Sequence, residues 1–154
     1  MSNRTISFAE EKIAVISHEA FELLVRNYRE VETDQDLPLD PDWEAYLAAE
    51  RLGSLVVLTA RVDRKLVGYL VYSIRRNRHV DVKEAYCDTF YVLPEYRQSG
   101  IALRLLRFGE DEMRKRQVKL LYHCSKTDPK HHKGAIFEHL GYHAEEVTYS
   151  KRLT

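Results

Sequence analysis

The sequence has no excess charge of either sign, no long apolar run and only two cysteines, and each shortage removes a class of protein. Its 24 Lys and Arg balance 24 Asp and Glu, so the formal net charge is zero. That balance gives no general attraction to nucleic acid or to an anionic membrane. No apolar stretch approaches the roughly 18–20 residues that cross a bilayer. The opening segment, residues 1–10, lacks the continuous apolar core of a secretory signal, which predicts a cytoplasmic protein without a membrane partner. In that setting Cys87 and Cys124, both within apolar segments, read as reduced thiols carried on strands, and the Asn3-Arg4-Thr5 glycosylation triplet carries no meaning. The two common phosphate loops, G-x-x-x-x-G-K-[ST] and G-x-G-x-x-G, are missing. No metal site is predicted either. His18-Glu19-Ala20-Phe21-Glu22 begins like the zinc helix H-E-x-x-H but lacks its second histidine. His131 and His132 are adjacent and so diverge on a helix, and Gly141 interrupts the chain between His139 and His143.

What is present suits one domain spanning residues 1–154. Hydrophobic residues make up 44% and charged residues 31%. A chain of this length buries roughly 68–70% of its unfolded surface, enough for a core without a disulfide or metal staple. Ile6–Phe8 reads as a short strand. A helix follows from Ser17 or His18 to Glu30, with Phe21, Leu24, Val25 and Tyr28 on its apolar face. After the turn-rich residues 33–41, Asp40-Pro41 opens a second helix that runs to about Leu52 and stops at Gly53. Leu55–Val62 and Lys65–Arg75 form a hairpin about Asp63-Arg64, and Ala85–Leu93 is a further strand. Gly100–Arg116 is the clearest helix, with Ala102, Leu105, Leu106, Gly109 and Met113 at helical spacing. Val118–Cys124 is a strand, His131 or His132 to Leu140 a short helix, and His143–Arg152 a last strand or pair of strands. The strand–helix–strand unit from Ala85 to Cys124 implies one parallel pair in an otherwise antiparallel sheet.

The stretch that carries chemistry is Phe90 to Leu103. A strand runs into a tight turn, and the turn opens directly into a helix. The first N–H groups of that helix have no intrahelical partner and carry the positive end of its dipole, an arrangement suited to anions. Gly100 lets a phosphate approach the backbone, and Arg97 adds a permanent cation. Turn chemistry alone fits an ordinary strand–turn–helix connection, with a glycine for packing, better than a phosphate site.

The residues of this turn narrow the choice. Val92-x-Pro94-x-Tyr96-Arg97-x-x-Gly100-Ile101-Ala102, followed by Leu105-Leu106, resembles motif A of the GCN5-related N-acetyltransferases, the GNAT superfamily, whose [RQ]-x-x-G-x-[GA] pattern reads here Arg97-Gln98-Ser99-Gly100-Ile101-Ala102. Lys65-Leu66-Val67-Gly68-Tyr69 resembles the family's "vG" strand, and Phe137-Glu138-His139-Leu140-Gly141-Tyr142 its "YeklGF" segment. The region from Pro38-Leu39-Asp40-Pro41 to Tyr46 is weakly similar to GNAT proteins of tailed phages.

The resemblance implies an α+β GNAT fold, a mixed, mostly antiparallel sheet splayed between Ala85–Leu93 and Val118–Cys124 with helices on both faces. It also implies transfer of an acetyl group from acetyl-CoA, as co-substrate, to a primary amine by direct attack in a ternary complex, without metal. The Phe90, Tyr91 and Val92 backbone would pair with the pantetheine arm, and Arg97, Gln98, Ser99, Gly100, Ile101, Ala102 and Leu103 would hold the diphosphate. The Val92 N–H would take the oxyanion. Strand alternation puts Glu84, Tyr86, Asp88, Phe90 and Val92 on one face, which makes Asp88 the nearest carboxylate to serve as base, with Glu84 next. The family's general-acid tyrosine is replaced by Phe137, which leaves Tyr142, Tyr149, His132 and His139 as proton donors, Tyr142 foremost.

Other residues suggest how substrates are chosen. The Trp43, Tyr46 and Leu47 face of the second helix reads as core or lid; the resemblance implies that this helix borders the acceptor, and Asp40, Asp42, Glu44 and Glu50 around it favour a cationic amine. The basic cluster of Lys126, Lys130, His131, His132 and Lys133 is either a solvated loop or an extra contact for CoA or an anionic substrate. The turn Arg75-Arg76-Asn77-Arg78-His79 reads as exposed. The acceptor is a small molecule or a protein, and the final strand is available to pair in a homodimer. Two other readings stay open: a catalytically weak CoA-binding or protein-interaction module, and a toxin-like aminoacyl-tRNA acetyltransferase, which the zero net charge disfavours.

Overall fold

The computed structural model describes residues 4–34 and 36–154. The chain divides into two compact units, the first ending at Tyr122 and the second covering His123–Thr154. The first holds strand β1 (Ile6–Glu10), helices α1 (Ile13–Val31) and α2 (Trp43–Arg51), strands β2 (Leu55–Val62), β3 (Lys65–Arg76) and β4 (Lys83–Val92), a 3-10 turn over Pro94–Ser99, helix α3 (Ile101–Lys115) and strand β5 (Val118–Tyr122).

The five strands lie in the order β1-β2-β3-β4-β5. All neighbours are antiparallel except β4 and β5, which are parallel, as the strand–helix–strand unit requires. The β2–β3 hairpin turns on Asp63 and Arg64, both at positive φ (48° and 70°), which fits the twist of a two-residue loop. Helices cover both faces of the sheet. Tyr69 and Tyr91, paired across β3 and β4, send their hydroxyls to Asn27 and Glu30 of α1. On the other face, Gly109 of α3 lies against the Leu70 and Tyr72 side chains. The mixed sheet of the expected fold class is therefore present. The β4–β5 ladder also splays: it pairs Lys83 to Tyr86 with Val118 to Tyr122 and stops, while β4 continues to Val92.

Several boundaries differ from those read in the sequence. Helix α1 begins at Ile13, not near Ser17, because Ile13 and Ile16 extend its buried stripe. That stripe is Ile13, Ile16, Leu23 and Asn27, whereas Phe21 is exposed. The misreading has a physical cause, since Asn27 is polar yet buried and bonded. The first N–H of α1 donates to Glu50 Oε1 of α2 at 3.0 Å, a cap supplied by another helix. The N-cap of α2 is Asp42, which accepts from the Ala45 N–H at 3.0 Å, and not Asp40. Strand β5 ends at Tyr122, so Cys124 is off the sheet and exposed, whereas Cys87 lies on β4 opposite Tyr72.

In the second unit, helix α4 is limited to Gly134–His139. The Tyr142 N–H donates to Phe137 O at 3.0 Å, and the Gly141 N–H, at φ +88°, donates to Glu138 O at 3.0 Å. These are the paired bonds of a Schellman motif, and the accompanying apolar contact is Phe137 against Tyr142, ring centroids 5.9 Å apart. The Phe137–Tyr142 segment thus has a local physical meaning as a helix stop. The expected last strand, His143–Arg152, is not formed. Alternation alone does not make a strand, and no strand among the described residues pairs with this segment, whose Val147 and Tyr149 are exposed.

Candidate active site

The pairing of β3 with β4 determines what β4 presents. Tyr86 lies opposite Ser73, Cys87 opposite Tyr72 and Thr89 opposite Val71, so Asp88 is an extra residue in a β-bulge. The bulge overturns the single face expected for Glu84, Tyr86, Asp88, Phe90 and Val92. Phe90 sits across from Leu70 and Val92 across from Gly68, on the α3 face. Asp88, Thr89 and Tyr91 point to α1 and α2.

Each of those three is tied to a helix. The Tyr46 phenol of α2 donates to Asp88 Oδ2 at 3.0 Å. The Asn27 amide of α1 donates to Thr89 Oγ1 at 3.1 Å and to Tyr69 Oη at 3.0 Å. The Tyr91 hydroxyl donates to Glu30 Oε2 at 3.1 Å. Burial pushes the Tyr69 and Tyr46 hydroxyls up to about 12, and for Tyr46 the neighbouring Asp88 charge adds to it. Both phenols therefore keep their protons. Beside Tyr46 a cavity of about 330 Å³ opens, lined by Leu24, Tyr28, Glu32, Asp34 and Asp40 among others.

The other side of β4 is arranged for the main chain. The Leu93 N–H donates to Val67 O at 2.9 Å, so Val67 and Leu93 form a hydrogen-bonded pair of the antiparallel ladder. The alternation then turns the Val92 N–H and C=O away from β3. On that side the β5 ladder has already ended at Tyr86. Gly68 lets β3 approach closely here, since a Cβ on it would lie 3.0 Å from Tyr91 O and Val92 Cγ2.

Beyond Val92 the chain makes its 3-10 turn and reaches Gly100 at φ +76°. A left-handed backbone costs an L-residue about 1–2 kcal/mol, so glycine belongs there. A Cβ at Gly100 would meet nothing within 4 Å, so the space above it is open. Helix α3 then begins with no side-chain cap and no acidic residue in its first turn. The N–H groups of Ile101, Ala102 and Leu103 lack intrahelical partners and carry the positive end of the dipole. Gln98 and Ser99 are exposed beside them.

Arg97 does not extend as a loose cation. Its Nη atoms donate to both oxygens of Glu30, at 2.6 and 2.8 Å, and its Nε donates to Val92 O at 2.8 Å. Its guanidinium lies 5.2 Å from the centre of the Tyr91 ring. Arg97 is thus a clamp joining the turn, β4 and α1. Sequence reading missed Glu30, Asn27 and the contact made by Tyr46, because their partners lie 42 to 67 residues away.

Other candidates have structural partners. Glu84 is buried and accepts from Arg75 Nε at 2.6 Å and Asn77 Nδ2 at 2.8 Å, bonds that hold its carboxyl below the usual range. Those bonds occupy the oxygens a base would use. In the basic turn Arg75 also lies 4.2 Å from the Tyr86 ring centre, and Arg76 pairs with Asp81. In the second unit His131 Nδ1 lies 2.8 Å from Asp128 Oδ1. Among the described residues no group of three or more His, Cys, Asp or Glu is placed to hold a metal ion, and no helix is long and apolar enough to cross a membrane.

Tyr142 and Phe137 enclose His123, whose ring centroid is 4.9 Å from Phe137 and 5.2 Å from Tyr142. Burial, reinforced by the Lys133 charge, pushes His123 down to about 4. The unfolded chain takes up this proton near pH 6.5, so it binds more protons than the fold between the two values. Stability from this group is full above about pH 6.5 and falls as pH drops toward 4, by about 1–3 kcal/mol. Urea midpoints at neutral pH and near pH 4.5 should differ less in His123→Phe than in the wild type. Equal differences would remove His123 as the source.

Comparison with known proteins finds relatives of this fold. No curated protein matches the chain. Among solved structures, ribosomal-protein-alanine N-acetyltransferase from Brucella melitensis biovar Abortus 2308 superposes with a TM-score of 0.75 at 21% identity, covering 97% of this chain and 100% of that one. An aminoglycoside acetyltransferase from an uncultured soil metagenomic sample gives 0.76 at 17% identity, covering 97% and 99%. Glucosamine-6-phosphate N-acetyltransferase from Arabidopsis thaliana gives 0.74 at 12%, covering 97% and 99%. At these identities the likeness is one of fold. The profile of the acetyltransferase (GNAT) family matches residues 17–142, which takes in α2, the bulged β4, the turn and α3. By that match over most of its length, the chain belongs to the acetyltransferase (GNAT) family.

Proposed function

We propose that this chain acts as one domain, residues 1–154, that transfers an acetyl group from acetyl-CoA to a primary amine by direct attack in a ternary complex. The observation that carries the reading is the continuity of one surface: the part of β4 beyond its ladder with β5 leads into the Gly100 turn and the start of α3, which no side chain caps. An extended pantetheine arm suits the Phe90–Val92 main chain as an added strand. Its diphosphate suits the N–H groups from Gln98 to Leu103, where helix dipole and orphan donors coincide.

In this reading the thioester carbonyl lies against the Val92 N–H. The lone pair of a neutral amine attacks the carbonyl carbon, and the N–H donor stabilises the oxyanion that forms. The C–S bond then breaks and the CoA thiolate leaves. An alkylamine with a pKa of about 10.4 is almost wholly protonated at pH 7, so loss of its proton needs help. Asp88 takes the amine proton. It is exposed at the bulge, beside the cavity that Tyr46 lines, where an amine can enter.

The test is thiol release from acetyl-CoA in the presence of spermidine, kanamycin, a lysine peptide or a peptide beginning with alanine. Release above the uncatalysed rate with at least one of them, with the acetylated amine identified by mass, is the expected result. Release with none would contradict the reading.

A further inference from the structure

We infer that Tyr46 is a positioning residue for acetyl transfer, its phenol holding one oxygen of Asp88 so that the other is presented to the acceptor amine. The inference rests on Asp88 serving as the base, as proposed above. The bulge makes it necessary. Asp88 has no residue opposite it on β3, so the pairing of the sheet does not fix its side chain. The Tyr46 O–H, reaching across from α2, donates to Asp88 Oδ2 at 3.0 Å. Tyr46 is itself held: its ring packs 6.1 Å from Trp43, which lies 6.3 Å from Phe21 of α1, and Asp42 caps the helix one turn earlier.

This arrangement divides the work between the two carboxylate oxygens. Oδ2 is occupied by a donor that keeps its own hydrogen, because burial and the adjacent charge hold the phenol proton in place. Oδ1 is left to accept. When the N–C bond forms and the C–S bond breaks, the amine proton passes to Oδ1, the thiolate leaves, and Tyr46 ends with the proton it started with. Because Tyr46 also lines the cavity beside Leu24, Tyr28 and Asp40, an amine entering there meets the carboxylate alongside the phenol.

Removing only the hydroxyl isolates the effect. With the acceptors named above, Tyr46→Phe should lower kcat about fivefold to twentyfold and leave both Tm and the KM for acetyl-CoA unchanged. Asp88→Asn should lower kcat about a hundredfold. Adding Tyr46→Phe to Asp88→Asn should cause no further loss, since the phenol then has no base to aim; a structural role of Tyr46 would persist in that background and would lower Tm. An equal loss in both backgrounds, or no loss in Tyr46→Phe where Asp88→Asn loses activity, overturns this inference and leaves the role of Asp88 standing. Wild-type rates in Asp88→Asn overturn the base and this inference together. Absence of wild-type acetylation of every acceptor overturns the acetyl-transfer reading with both.

Discussion

Gly100→Glu is expected to raise the Kd for acetyl-CoA at least a hundredfold while the protein still folds. Two effects act at this position, and they fall on different measurements. The left-handed backbone, φ +76°, costs any L-residue about 1–2 kcal/mol, a cost paid in stability. The new side chain meets no protein atom near its Cβ, so it does not break the core. Instead its carboxylate enters the space above the α3 N-terminus, where it competes with the diphosphate for the Ile101–Leu103 N–H groups and repels it. A hundredfold loss corresponds to about 2.7 kcal/mol, well within reach of one misplaced charge at an anion site. Gly100→Ala separates the two effects, since it carries the backbone strain without the charge. Calorimetry should find its affinity within about tenfold of wild type, with a Tm lower by a few degrees. Equal loss of binding in both variants would assign the effect to backbone distortion.

Arg97→Ala is expected to show as lost stability. It removes the bidentate pair with Glu30, the bond to Val92 O and the contact with the Tyr91 ring, while the Tyr91 hydroxyl still donates to Glu30. The guanidinium is partly exposed, 40% by side chain, so solvent screens part of the attraction. A net loss of about 2 kcal/mol is reasonable for such a set of charge-assisted bonds, or about 4–8 °C in Tm for a chain of this size. Glu30→Gln, which keeps the shape and removes the charge, should lose about half as much. A Tm unchanged in Arg97→Ala, together with a large loss of CoA affinity, would make Arg97 a phosphate ligand and not a clamp.

The parts of the site legible in the sequence are those whose cause is local. The glycine between turn and helix, the helix start that follows it, and the Gly141 helix stop all sit within a few residues of what they control. The parts that were not legible depend on pairing across the fold. A one-residue bulge between Tyr72 and Val71 decides which face Asp88, Phe90 and Val92 take, and nothing in the alternation of β4 announces it. Asn27 looks like an interruption of the α1 apolar stripe until Thr89 and Tyr69 are brought to it. Arg97 reads as a free cation until Glu30 arrives from a helix 67 residues earlier. Glu84 reads as a second candidate base until Arg75 and Asn77 occupy it. The final strand fails for the same reason: its alternation is visible, but the partner a strand needs is not a property of the segment itself.

The central claim is that main-chain amides at the start of α3 hold the coenzyme, and amide resonances of the labelled protein report on it directly. On titration with CoA, the N–H signals of Ser99, Gly100, Ile101, Ala102 and Leu103 should show the largest shifts, with Val92 moving further only when acetyl-CoA brings the thioester. Saturating shifts confined to other segments, with these six amides unmoved at millimolar CoA, would contradict it.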